Sequence, residues 1–185
     1  MKRRLALPVM MLMAVVACNM GCAQTGFVLP QKIQLNNKED YAKYEKVVIN
    51  AAIWLEQTDL DKDVEKRRTI DAFIIKWVSG TPAFTLNLDE PLSVLTEKNP
   101  ELLALYIASY SRNILENKNS PSSFSATKAA LKSIAFVYKK GIDVARNKQL
   151  EKLTKFTAES QWNDFIVTTM KIPQVWIHEK RAPDI

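Results

Sequence analysis

The chain has 185 residues and a formal net charge of +6, from 26 lysines and arginines against 20 aspartates and glutamates. This length allows one domain of ordinary size to bury enough surface to fold. The only cysteines, Cys18 and Cys22, lie near the N-terminus, so we expect a body without a disulfide, a cysteine nucleophile or a thiolate metal site. A single histidine, His178, also excludes a multi-histidine zinc site.

The N-terminus has the layout of a secretory signal peptide over residues 1–23. Lys2, Arg3 and Arg4 precede an apolar run of 13 residues from Leu5 to Ala17. A membrane-spanning helix needs roughly 20 apolar residues, so no transmembrane helix is expected in the mature chain. We therefore expect an exported protein, either periplasmic or secreted.

Two processing sites compete within this segment. The small residues of Gly21-Cys22-Ala23 favour ordinary cleavage after Ala23. The stretch Val15-Val16-Ala17-Cys18 instead resembles a bacterial lipobox, which would put the cut before Cys18 and a lipid on its sulfur. In that case the protein would be anchored to a membrane by lipid.

Loss of the signal peptide lowers the net charge to +3 and leaves it unevenly distributed along the chain. Residues 24–120 carry 12 basic and 14 acidic side chains, a net of −2, whereas residues 121–185 carry 11 and 6, a net of +5. Such asymmetry favours association with an envelope protein or an anionic surface. Nucleic acid is a poor candidate, because export separates the protein from it.

The first half of the body is predicted to begin with an extended arm over residues 24–36. Asn37 can cap a helix that continues to about Thr58, and a second helix is expected from about Asp61 to Ser79. Alternating apolar and polar residues over 83–88 indicate a short strand. This strand is expected to pair with residues 27–35 in a minor two-stranded β-ribbon.

The second half is predicted to be helical up to residue 170. A short helical turn is expected at Asp89-Glu90-Pro91, and Asn99-Pro100-Glu101 is a clear helix start. A helix over about 124–140 should end at Gly141. Two further helices are marked by apolar residues near 150–156 and 162–166, and residues 171–185 form an irregular tail. The prediction is one all-α domain over 37–170 with five to six helices.

No residue of the chain makes a strong catalytic or metal-binding candidate. His178 lies in the proline-flanked tail without a partner base or nucleophile. Asp89 and Glu90 suit a helix N-terminus better than glycoside chemistry. The acids Asp59, Asp61 and Asp63 lack the glycine and the final bidentate acid of a calcium loop. We therefore predict no cofactor and favour a protein that is not an enzyme.

Two sets of residues are the candidate binding sites. The first is a basic face, where lysines share helix sides between residues 121 and 157; a solvated outer surface is the alternative interpretation. The second is an aromatic corner, whose rings fit core packing equally well. The basic face contains Lys128, Lys132, Lys148 and Lys152, and the aromatic corner contains Trp77, Gly80, Thr81, Tyr106 and Tyr110.

Parts of residues 50–157 resemble a group of small exported helical proteins of Bacteroidota that have no assigned activity. The resemblance is carried by Asp71–Pro82, by Lys98–Leu103, by Leu115–Lys118 and by Val137–Lys140. It implies export and a helical fold, and it brings no catalytic residues. The resulting hypothesis is a periplasmic or envelope-associated interaction module, with a cell-envelope hydrolase or a small-molecule or lipid carrier as alternatives.

Overall fold

A computed structural model describes residues 26–174 of the chain. Within this range the protein is all-α, as predicted, with eight helices rather than five to six and with no strand. The helices are α1 (Lys38–Lys43), α2 (Glu45–Gln57), α3 (Val64–Val78), α4 (Glu90–Thr96), α5 (Pro100–Glu116), α6 (Ser123–Lys139), α7 (Lys148–Leu153) and α8 (Glu159–Thr168). No helix of this part is long and apolar enough to cross a membrane.

Two differences raise the helix count from at most six to eight: the first predicted helix is divided in two at Tyr44, and the turn predicted at Asp89-Glu90-Pro91 is the full helix α4. Asn37 caps α1 as expected in a capping box: its Oδ1 accepts from the Asp40 N–H, and the Asp40 carboxylate accepts from the Asn37 N–H. At Tyr44 the backbone leaves helical geometry (φ −101°, ψ 3°), and its phenol oxygen accepts a 3.1 Å hydrogen bond from the Gln34 N–H. The break therefore coincides with a contact that ties the N-terminal arm to the helices.

The predicted β-ribbon is wrong. Residues 27–35 and 83–88 lie outside regular structure. Their apolar side chains instead pack against the helical core, and the ring centroid of Phe84 lies 6.2 Å from that of Trp77 and 5.7 Å from that of Tyr110. Alternating hydrophobicity shows that one side of an extended segment is buried. Packing against helices buries that side as well as pairing with a second strand does.

Helices α5 and α6 form the centre of the fold. Helix α5 packs against α6, α2, α3 and α4, and α6 also contacts α7 and α8. Small side chains line the shared interface, where the hydroxyls of Ser109 and Ser133 are 2.9 Å apart. Because such residues let two backbones approach closely, the large side chains pack around this seam. Fully buried residues include Leu105, Leu131 and Ile134, each worth about 1.5–3 kcal/mol of burial.

Candidate binding surface

The aromatic corner predicted from the sequence is mostly interior. Trp77 is fully buried, and its indole Nε1 donates a 3.0 Å hydrogen bond to the Tyr41 carbonyl. Tyr106 and Tyr110 are only 2% and 5% exposed, with ring centroids 6.4 Å apart. Burial raises the pKa of the Tyr106 phenol to about 12, so this group stays protonated at neutral pH. These three rings serve the core, as the alternative interpretation had it.

Gly80 and Thr81 differ from the three rings, because both reach the surface. A side chain at Gly80 would collide with the phenol ring of Tyr41, which covers this glycine. Tyr41 in turn lies against Trp77, with ring centroids 6.5 Å apart. The turn after α3 therefore packs against α1. Of the predicted aromatic corner, only Thr81 and the exposed edge of Gly80 are accessible to a partner.

The basic face is assembled from three helices. In α6, Lys128 and Lys132 both donate to the carboxylate of Glu159, at the start of α8. These two hydrogen bonds, with Lys132 the stronger influence, hold the pKa of Glu159 below its ordinary value. The acid therefore stays ionised and holds both ammonium groups at the α6–α8 junction.

An aromatic cluster connects this junction to α7. The ring of Phe156 lies edge-on to Trp162, with centroids 5.2 Å apart, and 6.1 Å from Phe165. The Lys132 ammonium is 5.8 Å from the Trp162 ring centroid, and the Lys152 ammonium is 6.0 Å from that of Phe165. Lys132 of α6 and Lys152 of α7 thus both lie against one aromatic cluster.

Three acids form ion pairs with only four of the eight basic residues between 121 and 157. Besides Lys128 and Lys132, Lys140 pairs with Asp59 at 2.9 Å and Arg146 pairs with Glu151 at 2.8 Å. Four exposed lysines make no ion pair with any residue in the described range. They are Lys139 on α6, Lys148 and Lys152 on α7, and Lys155 just after α7.

Phe136 belongs to this surface and was missed from the sequence. It is 54% exposed on α6, and within residues 26–174 every other aromatic side chain is buried or half-buried. The Lys140 ammonium lies 5.2 Å from its ring centroid. A four-residue spacing, which keeps side chains on neighbouring turns of a helix, is the signal that could have found it. The spacing runs through Phe124, Lys128, Lys132, Phe136 and Lys140.

A second missed feature is a buried ionisable group on α3. Burial raises the pKa of Asp71 to about 6 against the opposing attraction of Arg67, and the negative charge of Glu101 adds to the rise. Buried Oδ1 of Asp71 and Nε of Arg67 both lack a hydrogen-bond partner among the described residues. The sequence signal is Arg67, a charged residue at a buried position of the α3 apolar stripe.

Neither of two clefts in the described part of the chain encloses a pair of acids. One, of about 360 Å³, opens at the start of α6 and reaches Lys128; the other, of about 250 Å³, lies between α4, α7 and α8 and includes Glu90 alone among acids. Asp59 pairs with Lys140 and Asp61 pairs with Lys62. No group of three or more His, Cys, Asp or Glu side chains within residues 26–174 is arranged to hold a metal ion.

The predictions on Cys18, Cys22 and His178 concern residues that lie outside the described range. Comparison of the chain with protein-family models, with curated proteins and with solved structures gives no match.

Proposed function

We propose that this protein is an exported, envelope-associated binding module that recognises an anionic partner through the surface formed by α6, α7 and the start of α8. The observation that carries the proposal is the group of four exposed lysines without ion pairs: Lys139, Lys148, Lys152 and Lys155. Uncompensated cations on one region of a protein attract anionic partners and raise the rate of encounter.

The arrangement of this surface supports a binding role. Glu159 fixes Lys128 and Lys132, and Arg146 is fixed by Glu151, whose pKa it lowers. Of the cations without an ion pair in the described range, Lys139 ends α6 and the other three lie on or just after α7, where Lys148 and Lys152 are one turn apart. No comparable observation favours a hydrolase or a carrier.

The test is affinity capture from the native envelope fraction at low and high salt. The triple variant Lys148→Gln, Lys152→Gln, Lys155→Gln should lose the captured partner, and the wild-type interaction should weaken at high salt because screening reduces it. A matched control is Lys38→Gln, Lys46→Gln, Lys76→Gln, which removes the same charge from exposed positions on α1, α2 and α3. Equal behaviour of the two triple variants, or capture independent of salt, would show that the α7 surface is not the binding site.

Export is tested separately on the natural N-terminus. Mass spectrometry of the protein purified from its own cells should find a chain that starts at Gln24, or a lipid-modified chain that starts at Cys18. Cys18→Ala should abolish the lipid in the second case and leave processing unchanged in the first. A protein that retains Met1 and stays in the cytoplasmic fraction would contradict export.

A further inference from the structure

We propose that Phe136 and the lysines around it dock this protein on the surface of an anionic lipid bilayer, with the ring entering the boundary between headgroups and acyl chains. This inference rests on the proposed function and names its partner. The surface consists of Phe136 with Lys128, Lys132, Lys139 and Lys140 of α6 and the C-cap that follows it. We call it the α6 surface.

Phe136 is presented to solvent by the helix itself. Its neighbours Ala135 and Val137 are buried in the core at 5% and 2% exposure, so α6 is anchored on both sides of the ring. The ring is 54% exposed, and the Lys140 ammonium lies 5.2 Å from its centroid. An aromatic ring held outward on a rigid helix is ready to be buried by a partner without rearrangement of the fold.

The charges around the ring are held in place and remain net positive. Asp59 binds Lys140 on one side of Phe136, and Glu159 binds Lys132 one turn away on the other. Lys139 stays exposed and unpaired within the described range. The four lysines and two carboxylates leave a net charge of +2 beside the ring, which is complementary to an anionic surface.

The shape of the α6 surface favours a bilayer over a peptide. Phe136 stands on the outer side of α6, and neither of the two clefts described above includes it. A peptide partner needs a groove that encloses its anchor residues. A bilayer needs a protruding apolar side chain with cations at headgroup level, as on interfacial helices. Lys139, which is exposed and makes no ion pair within the described range, lies one turn after the ring and meets this requirement. The ion-paired Lys132 and Lys140 lie one turn before and one turn after the ring.

Vesicle co-sedimentation tests the inference with the mature protein as its cells process it. Binding to vesicles of equal phosphatidylglycerol and phosphatidylcholine should exceed binding to phosphatidylcholine alone, and high salt should remove the excess. Phe136→Ser should weaken this excess about tenfold, because the buried area of one ring is lost. The matched control is Leu88→Ser, which removes a similarly exposed apolar side chain (53%) from the loop before α4.

A second variant reports insertion directly. Phe136→Trp should retain binding, and its added fluorescence should be quenched by brominated phosphatidylglycerol more strongly than the fluorescence of the wild-type protein. Unchanged quenching, or equal binding by Phe136→Ser and Leu88→Ser, would overturn the inference. Binding to immobilised polyglutamate without excess vesicle binding would overturn it while leaving the proposed function standing. Binding to neither probe would count against both.

Discussion

The guanidinium Nη2 of Arg67 donates a 2.6 Å hydrogen bond to the carbonyl of Thr58, which is the C-cap of α2. Its Nη1 donates to the carbonyl of Leu55 at 3.3 Å, and the side chain is only 2% exposed. The last carbonyls of a helix have no partners within it. The arginine of α3 therefore satisfies the carboxyl end of α2 inside the protein.

Arg67→Met should lower the free energy of unfolding by about 2–4 kcal/mol, because buried carbonyls lose charged donors that the apolar side chain cannot replace. Urea denaturation followed by circular dichroism measures this. Arg68→Met is the matched control, since Arg68 is exposed and pairs only with Glu65; its effect should stay within about 0.5 kcal/mol. Comparable losses in the two variants would contradict the role given to Arg67.

The stability contribution of Asp71 should depend on pH. Burial raises the pKa of its carboxyl from an ordinary 3.8 to about 6, so the folded state binds a proton more tightly than the unfolded state does. The favourable contribution of the protonated form is complete below pH 4 and is lost as the pH rises through 6. Relative to the wild-type protein, Asp71→Asn should therefore become more stable by about 1–3 kcal/mol between pH 4 and pH 7.5.

Thermal or urea unfolding of both proteins at half-unit pH steps measures this difference. Asp164→Asn removes one negative charge from an exposed position on α8 and controls for net charge. A constant gap between wild type and Asp71→Asn across the pH range would show that the carboxyl ionises equally in the folded and unfolded states.

Asn99 and Asn147 clamp the segment between α6 and α7 to α4 and the start of α5. The Asn99 amide donates to the Ala145 carbonyl at 3.0 Å, and its Oδ1 accepts from the Ala145 N–H at 2.6 Å. The Asn147 amide donates to the Val94 carbonyl at 2.8 Å, while its Oδ1 caps α7. Each side chain joins parts of the chain about fifty residues apart.

Asn99→Ala and Asn147→Ala should each cost about 1–3 kcal/mol of unfolding free energy, since partly buried backbone groups lose their partners. Denaturant titration gives the values. Asn50→Ala, at an exposed position in the interior of α2, should be neutral or slightly stabilising because alanine is the better helix former. A neutral Asn99→Ala would mean that water replaces the side chain at Ala145.

The sequence correctly predicted those helix ends that depend on residues at the end itself. Proline at N1 marks the start of α5, and Gly141 takes a positive φ of 69° just after α6, as expected for a C-cap glycine. The predictions that were wrong depend on contacts between residues far apart in the sequence. Asn99 was expected to cap α5, yet its side chain binds Ala145 and makes no capping bond. The residues within one helical turn of Asn99 do not reveal that its side chain binds Ala145, which lies 46 residues further along the chain.

The candidate surface was likewise predictable only in part. A run of basic residues at helical spacing identified Lys128 and Lys132, but their partner Glu159 lies 31 and 27 residues further along the chain. Periodicity shows which side chains share one helix face and does not show which acid another helix brings to it. Phe136 was overlooked for a different reason, because an aromatic residue within an apolar helix normally indicates core, and that prediction leaves out its spacing from the lysines.

Glu159→Gln should strengthen binding to anionic partners. The carboxylate holds the ammonium groups of Lys128 and Lys132, and its pKa is lowered by both, so it remains ionised under all neutral conditions. The neutral amide would leave both lysines free to meet an external anion. We expect about three- to tenfold tighter binding to polyglutamate or to phosphatidylglycerol vesicles, with a steeper dependence on salt.

The matched control is Glu97→Gln, which changes the net charge equally at an exposed position after α4. Any acid that is removed raises the net charge by one and strengthens attraction to anions everywhere on the protein. Only the excess of Glu159→Gln over Glu97→Gln therefore measures the local release of the two lysines. Titrations of both variants at two salt concentrations give that excess. Identical affinities would mean that Lys128 and Lys132 take no part in binding, and would leave Lys139, Lys148, Lys152 and Lys155 as the lysines that contact the anion.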